Sequence, residues 1–325
     1  MDMAETACQH PALIDVLAAR VADGGRPTQR LDDHRVALVI EGGGMRGTVS
    51  AGMALELHLL GLTTAFDAVY GSSAGAISAA WLLSEHPEGL EGWSDPRFAT
   101  ALISRRNLLR GRPLVDVEQL IEDVYVNDFV LPYASVLTNP IEFHALATDV
   151  VSGRAVDLAP WIVDVASLKR ALRASAALPI LAGRAVPLGD SSYYDAGLAE
   201  SIPYRRALQD GATHVLVLRS KRAIDVPGQD SATTSSRVLV ATGFRGWTEE
   251  LRAAYLSRNE RSVEDDRRLD AYQAVENPTV VSIRPADDSP RVGRLESRGE
   301  VLREAFRGGR AAVRARLGEL ATGPS

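Results

Sequence analysis

The stretch Val36–Gly47, VALVIEGGGMRG, decides how the following chain can fold, because a β-branched apolar run leads directly into a glycine-rich loop. The run predicts a buried strand, and the glycines predict a loop whose backbone N–H groups are open to an anion. Gly42, Gly44 and Gly47 fit the spacing G-x-G-x-x-G, which is typical of dinucleotide-binding turns. The same N–H groups also suit the oxyanion of an acyl-transfer reaction, so the loop alone leaves both functions open.

A second strand, turn and helix follow the first at once. The run FDAVYG leads into GSSAG at residues 71–75 and then into a helix of small residues. GSSAG has the form G-x-S-x-G, with Ser73 at the nucleophile position and Gly71 and Gly75 as the flanking glycines of the elbow. A serine at such a turn projects its Oγ from the sheet edge, toward the positive end of the next helix. Taken alone, the motif also fits a tight turn selected for close helix–sheet packing.

The repeated order of strand, loop and helix predicts parallel strands with helices on both faces. Further buried strands are expected at residues 141–148, in HVLVL from His214, and in TVVSIRP near the end. We therefore predict an α/β protein, a three-layer α/β/α sandwich with a mostly parallel central sheet.

The domain organisation follows from the same patterns. Residues 1–34 are expected to form an N-terminal helical extension, since residues 11–22 place apolar side chains at helical spacing. One domain is expected over residues 35–325, with a motif-bearing core at about 35–220 and C-terminal helices and the last strand at 221–325. The terminal helix is predicted to be interrupted at Gly308 and Gly309, because glycine disfavours helices.

Composition excludes several classes of protein. The 325 residues carry a formal net charge of −6, which argues against general nucleic-acid binding. Cys8 is the only cysteine, so an intramolecular disulfide and a thiolate zinc site are both excluded. The N-terminus lacks the regions of a secretory signal, and no run of about eighteen apolar residues predicts a membrane span. We therefore expect a cytoplasmic protein.

The second strand distinguishes between the two anions that would fit the glycine loop, the phosphates of a dinucleotide and the oxyanion of an acyl-transfer reaction. A dinucleotide site needs an acidic residue at the end of that strand, where the ribose hydroxyls bind. The strand ends instead in the serine turn, and Asp67 lies near its start. Arg46 adds a cation within the loop, suited to an oxyanion or a phosphate. The loop and Ser73 leave adjacent strands at the same edge, which favours a nucleophile beside an oxyanion hole over a dinucleotide-binding oxidoreductase.

A nucleophilic serine needs a base, and no histidine is well placed to supply one. His214 begins a strand, at the edge opposite the loops, and the others lie in helices, strands or terminal segments: His10, His34, His58, His86 and His144. Asp195, in YYDAG, follows a short extended run and precedes two small residues. A carboxylate can act as the base if desolvation raises its pKa, so Asp195 is the favoured candidate.

Four blocks of the sequence, in this order, resemble the motifs of bacterial patatin-like phospholipases. GGGMRG resembles the oxyanion block, GSSAG the nucleophile elbow, ASAALP at Ala174–Pro179 the A-S-x-x-x-P block, and DAG from Asp195 the catalytic D-G-[GA] block. The resemblance covers residues 35–220. It implies an α/β/α sandwich that hydrolyses lipid carboxylic esters with a Ser–Asp dyad.

The resemblance also implies roles for individual residues. Ser73 would be the nucleophile, and Asp195 the base that activates it and later the deacylating water. The oxyanion hole would use backbone N–H groups around Gly43, Gly44 and Met45, helped by Arg46, within the loop of Gly42, Gly43, Gly44, Met45, Arg46 and Gly47. The family chemistry requires no metal and no organic cofactor. The expected partner is a lipid or ester substrate, with transient contact to a membrane surface.

Two features leave alternatives open. Ala196 stands where the family usually has glycine, so a catalytically weak lipid-binding or regulatory protein on the same fold is an alternative. The segment SRRNLLRGRP places arginines beside leucines, which fits contact with anionic headgroups or, as we favour, a solvated surface: Arg105, Arg106, Arg110 and Arg112.

Overall fold

The computed structural model describes residues 11–321, except residues 25, 105–106, 108–110, 180, 226–245 and 273–276. In this part of the chain eight strands form one sheet, in the order β5-β6-β3-β2-β1-β7-β8, with β4 paired to β3. The strands are β1 (Val36–Ile40), β2 (Ala68–Ser72), β3 (Glu142–Asp149), β4 (Ala155–Asp157), β5 (Val186–Leu188), β6 (Ser191–Tyr194), β7 (His214–Leu218) and β8 (Thr279–Ile283).

The sheet is mostly parallel, as the sequence predicts. Strands β3, β2, β1, β7 and β8 run in one direction. β4 and β6 pair with β3 in antiparallel orientation, and β5 pairs antiparallel with β6 at the edge of the sheet. β1 lies at the centre, where Val39 pairs with Tyr70 of β2 and Val217 of β7. The two motif-bearing loops therefore leave neighbouring parallel strands.

Helices surround the sheet. Within the described residues, the α-helices of six residues or more are α1 (Leu13–Ala22), α2 (Gly47–Leu59), α3 (Ala74–Leu82), α4 (Pro96–Leu102), α5 (Tyr133–Thr138), α6 (Val165–Ser175), α7 (Tyr204–Gln209), α8 (Glu249–Ala271) and α9 (Gly299–Leu317). Shorter helical turns lie at Gly44–Arg46, Thr63–Ala65, Pro87–Ser94, Val117–Gln119, Leu120–Val124, Tyr125–Asn127, Ala159–Trp161, Ala196–Leu198, Ala223–Asp225 and Gly318–Ala321. Among the described residues, none of the helices combines the length and apolar character needed to cross a membrane.

Alternation along β1 divides the core between two faces, because successive strand residues point to opposite sides. Val36, Leu38 and Ile40 pack with residues of α2, α3 and α9. Ala37 and Val39 pack with residues of α7 and α8. The protein is therefore a three-layer α/β/α sandwich, and the predicted fold class is confirmed.

The helix predicted for residues 11–22 is present as α1 and packs on the core. Its Leu13 and Leu17 are buried in the same cluster as α2 and α3. Arg20 is also buried, and its guanidinium binds Asp32 and Asp67 at 2.8 Å each. A buried cation with two carboxylate partners fixes the helix against the amino end of β2.

The predicted interruption of the terminal helix is wrong, because α9 continues through Gly308 and Gly309. α9 crosses α2 so closely that a Cβ on Gly309 would overlap the carbonyl oxygen of Val49. A Cβ on Gly52 of α2 would likewise overlap the carbonyl oxygen of Phe306. Packing between the two helices thus outweighs the intrinsic helix penalty of glycine, which is about 1 kcal/mol per residue.

Candidate active site

Ser73 lies at a sharp turn between β2 and α3. It has φ 53° and ψ −122°, and it is the only non-glycine residue with a positive φ in the described part of the chain. The turn is tight because Gly75 lies against the end of β1, where any Cβ would overlap the carbonyl oxygen of Ile40. A strained serine between a strand and a helix has the geometry of a nucleophile elbow.

Asp195 reaches Ser73 from the turn that follows β6. The Ser73 hydroxyl donates to Asp195 Oδ2 at 2.6 Å, and both residues are buried, with 6% and 3% of their surface exposed. Asp195 caps the helical turn Ala196–Leu198, with Oδ1 accepting the Gly197 N–H at 2.8 Å. The fold thus joins residues 122 positions apart into one buried hydroxyl–carboxylate pair.

The environment of Asp195 favours proton uptake. Burial raises the pKa of its carboxyl group, and this effect exceeds the opposing effects of the Ser73 and Gly197 hydrogen bonds and of the Arg294 charge. A carboxylate with a raised pKa binds a proton more readily than an exposed one. The Asp195 carboxylate can therefore accept the Ser73 proton during a reaction.

Three further hydrogen bonds hold this pair in place. The Ser73 N–H donates to Ser175 Oγ at 2.9 Å. Thr148 Oγ1 donates to the Asp195 carbonyl at 2.9 Å, and the Asp195 N–H donates to the Ala177 carbonyl at 3.0 Å. Neither Ser175 nor Thr148 has a role predicted from the sequence. Ser175 lies within the sequence block ASAALP, which marks the segment as part of the family pattern. The block alone does not show that the Ser175 hydroxyl contacts the Ser73 N–H.

The glycine loop lies beside Ser73 as predicted, but only part of its backbone is available to an anion. Three N–H groups already donate to protein carbonyls: Gly42 to Ser201 at 2.9 Å, Met45 to Arg294 at 3.0 Å and Arg46 to Gly43 at 3.3 Å. The expected contribution of the Met45 N–H is therefore not available in this structure. The N–H groups of Gly43 and Gly44 have no acceptor among the described residues, and Gly47 begins α2.

Arg46 places its guanidinium next to this loop. Burial lowers the pKa of Arg46, the charge of Glu41 opposes that effect, and the charge of Arg294 adds to it. The buried Nε of Arg46 has no hydrogen-bond partner among the described residues. The loop therefore carries a cation as well as two open N–H groups, which suits it to a developing negative charge.

A cavity of about 650 Å³ opens above Ser73 and Asp195. The glycine loop lines this cavity together with a group of apolar residues that form an apolar wall: Val49, Leu178, Pro179, Leu181, Leu198, Val263 and Val292. A volume of this size is typical of a site for a small organic ligand. The apolar wall can accept an acyl chain next to the serine.

Ala196 does not distort the turn after Asp195. Its side chain is fully buried and packs with Ile202 and Tyr204. Its φ is not positive, since Ser73 alone has that property among the described non-glycine residues. The position therefore accepts a Cβ, and the glycine of the family pattern is not needed for this backbone.

The other sequence candidates lie away from the cavity. His214 is at the amino end of β7, with Nε2 3.0 Å from the Pro11 carbonyl, and no described histidine lines the cavity. Asp67 binds Arg20 at the start of β2. Arg112 pairs with Asp116 at 2.9 Å, while Arg105, Arg106 and Arg110 lie outside the described residues.

In the part of the chain that the structure describes, one group of possible metal ligands lies outside the cavity. His144, Asp157 and Asp210 bring ligand atoms within 4.8 Å of one another. The group is already satisfied, because His144 binds Asp157 at 2.7 Å and Arg206 pairs with both carboxylates at 3.6 and 2.9 Å. The Arg206 guanidinium therefore already supplies a positive charge to both carboxylates of this group.

Comparison with known protein families agrees with the sequence motifs. The family model of the patatin-like phospholipases matches residues 38–208, more than half of the chain and the range that holds Ser73 and Asp195. The uncharacterized protein YjjU of Escherichia coli strain K12 is 28% identical over 198 residues. That match covers 57% of this chain and 52% of YjjU, so the chain spans about half the length of this curated relative.

Among solved structures, the crystal structure of VipD from Legionella pneumophila is similar with a TM-score of 0.44 and 12% identity. The similarity covers 87% of this chain and 67% of VipD. The family match, which spans the glycine loop, the serine turn and the Asp195 turn, decides the classification. The chain belongs to the patatin-like phospholipase family.

Proposed function

We propose that this protein is a serine acyl hydrolase that cleaves lipid carboxylic esters through a Ser73–Asp195 dyad. The observation that carries the proposal is the 2.6 Å hydrogen bond from Ser73 Oγ to the buried Asp195 carboxylate. Membership in the family supports a lipid acyl hydrolase at family level. The dyad gives that general activity a nucleophile and a base in this chain.

Acylation begins when Asp195 Oδ2 takes the Ser73 proton and Oγ attacks the ester carbonyl carbon. The carbonyl oxygen becomes negatively charged in the tetrahedral intermediate, and it binds the N–H groups of Gly43 and Gly44, with the Arg46 charge nearby. Asp195 then gives its proton to the leaving alcohol as the C–O bond breaks. The product is acyl-Ser73, and the free alcohol departs.

Deacylation repeats these steps with water. Asp195 takes a proton from a water molecule, whose oxygen attacks the acyl-Ser73 carbonyl. The second tetrahedral intermediate collapses as Asp195 returns the proton to Ser73 Oγ. The carboxylic acid is released and the dyad is restored. One carboxylate serves both halves of the reaction, and no histidine is required.

Replacement of Ser73 by alanine tests this proposal, with Ser72→Ala as the matched control. Ser72 adjoins Ser73 and is also buried, but its hydroxyl donates to the Glu200 carbonyl at 2.9 Å. Hydrolysis of p-nitrophenyl esters and short-chain phospholipids should be abolished in Ser73→Ala and retained in Ser72→Ala. Equal activity of Ser73→Ala and the wild type would contradict the proposal, and vesicle binding without hydrolysis by the wild type would indicate a lipid-binding protein.

A further inference from the structure

The cavity above Ser73 is basic, although the whole chain has a net charge of −6. Its described lining contains cationic residues from the glycine loop, the segment after β7, α8 and the segment before α9: Arg46, Lys221, Arg222, Arg258, Arg291, Arg294 and Arg298. Three of these pair with acidic residues: Arg222 and Arg291 with Asp225, and Arg298 with Glu296. The other four form no ion pair within the described part of the chain: Arg46, Lys221, Arg258 and Arg294.

Arg46 belongs to the glycine loop, and the remaining three cations come from separate parts of the fold. Lys221 follows β7, and its Nζ donates to Ser262 Oγ of α8 at 2.8 Å. Arg258 lies on α8 with its guanidinium carbon 3.8 Å from the centre of the Tyr255 ring. Arg294 precedes α9, and its backbone carbonyl accepts the Met45 N–H. Three cations from separate parts of the fold therefore line one cavity without carboxylate partners among the described residues.

These cations affect one another electrostatically. Burial lowers the pKa of Arg258, and the Arg294 charge lowers it further. Burial also lowers the pKa of Lys221, and the Arg46 charge adds to that effect while Glu41 opposes it. Like charges kept together in a half-buried site repel each other, and a bound anion relieves that repulsion. Guanidinium and ammonium groups bind phosphate through charge-assisted hydrogen bonds, which are among the strongest in proteins.

We propose that Lys221, Arg258 and Arg294 form an anion subsite for the phosphate of the substrate headgroup, and that the enzyme prefers ester lipids of net negative charge. This inference rests on the proposed function, because it assigns the substrate class of the Ser73 site. The apolar wall takes the acyl chain while the cations take the phosphate, so the ester between them is presented to Ser73. A zwitterionic headgroup brings a cation of its own toward the same residues and is disfavoured.

The test compares lipids that differ only in headgroup charge. Dihexanoyl phosphatidylglycerol and dihexanoyl phosphatidylcholine are assayed as monomers, so that attraction to a charged surface does not contribute. The wild type should prefer the anionic lipid by about tenfold or more in kcat/KM, as expected for a charge-assisted contact. Arg258→Gln and Arg294→Gln should each reduce this ratio, and the double variant should bring it close to one.

Two further variants separate charge from folding and packing. Arg258→Lys keeps the positive charge and should retain most of the preference. Arg267→Gln makes the same change as Arg258→Gln on the same helix, but Arg267 is exposed and pairs with Glu264 outside the cavity. The ratio of kcat/KM for phosphatidylglycerol to that for phosphatidylcholine should be the same in Arg267→Gln as in the wild type. Circular dichroism of each variant confirms that the fold is kept.

Inorganic phosphate distinguishes a headgroup site from a site for a free anion. It should raise the KM for phosphatidylglycerol without changing kcat, and less so in Arg258→Gln. A lower kcat with an unchanged KM would place the anion away from the headgroup and overturn the assignment.

Different experimental outcomes would contradict the anion subsite and the proposed function. Hydrolysis of both lipids at equal kcat/KM, or a preference seen only in vesicles, overturns the subsite alone. If the wild type hydrolyses neither lipid and no p-nitrophenyl ester, both proposals are contradicted.

Discussion

At the scale of single residues, Ser73 shows how a strained backbone is kept in place. A non-glycine residue with φ 53° is energetically disfavoured, so other contacts must compensate. The Ser73 N–H donates to Ser175, its carbonyl accepts the Ala76 N–H at 2.9 Å, and its hydroxyl donates to Asp195. Each polar group of Ser73 therefore has a partner, and the Oγ is fixed in one position ahead of substrate binding.

Asp195→Asn should keep the fold and lose most of the activity. An amide cannot take the Ser73 proton, so kcat should fall by about 10²- to 10⁴-fold, the usual contribution of a general base. Turnover of p-nitrophenyl esters measures the loss, and circular dichroism checks the fold. A near-normal rate would mean that another group is the base.

The raised pKa of Asp195 also predicts two pH effects. In the wild type, kcat/KM should increase with pH through a pKa above the usual aspartate value of about 3.9, because the carboxylate is the active form. Above the raised pKa of the folded state, the folded protein carries the full penalty of a buried charge, and this penalty decreases as the pH falls from the folded pKa toward the lower unfolded pKa. Asp195→Asn should therefore be at least as stable as the wild type at pH 7 in urea unfolding, with the difference shrinking as the pH falls toward the unfolded pKa of about 3.9 and vanishing below it. A rise of kcat/KM through a pKa at or below the usual aspartate value of about 3.9 would contradict this account.

Ser175→Ala should impair the reaction without touching the dyad. The variant removes the acceptor of the Ser73 N–H and leaves a buried donor unpaired, which costs about 1–3 kcal/mol. We expect a lower kcat with little change in KM, since the position of Oγ is affected and the acyl site is not. Ser78→Ala is the control, because Ser78 is a buried serine of α3 whose hydroxyl has no partner among the described residues. Equal kcat values for Ser175→Ala and Ser78→Ala would show that Ser175 does not position Ser73.

At the scale of elements, local sequence was sufficient where the signal lay within one segment. The apolar run of β1, the elbow after β2 and the apolar spacing of α1 each predicted the element that forms. The sequence-based prediction failed where a contact with a segment far away in the sequence determines the local structure. The Met45 N–H binds a carbonyl from the segment before α9, and Gly309 owes its place in a helix to contact with α2. Neither contact leaves a pattern in the residues nearby.

Gly309→Ala should destabilise the fold, although alanine is the better helix former. The new Cβ would overlap the Val49 carbonyl of α2, and overpacking of this kind costs about 1–3 kcal/mol. Gly308→Ala is the matched control, because its Cβ would meet the end of the Ser289 side chain at 2.9 Å, which can rotate away. Urea unfolding should show a lower free energy of unfolding for Gly309→Ala and no comparable loss for Gly308→Ala. The reverse order would contradict the close packing of α2 and α9.

At the scale of the whole molecule, the sheet brings together residues that lie far apart along the chain. The ordered blocks of the sequence indicate the family, and they predict that Ser73, Asp195 and the glycine loop share one edge of the sheet. The net charge of −6 gave no hint of a basic cavity, because Lys221, Arg258 and Arg294 become neighbours only when β7, α8 and the segment before α9 meet. The proposed headgroup subsite therefore depends on the folded molecule, whereas the proposed dyad chemistry is indicated by the sequence motifs.

The most direct test of the central claim is labelling with a fluorophosphonate, which reacts with activated serines in the same way as the proposed ester substrate. Mass spectrometry of the wild type should show one adduct, and peptide mapping should place it on Ser73. Ser73→Ala should remain unlabelled, and Asp195→Asn should react much more slowly. An adduct on another residue, or equal labelling of the wild type and Ser73→Ala, would contradict the account.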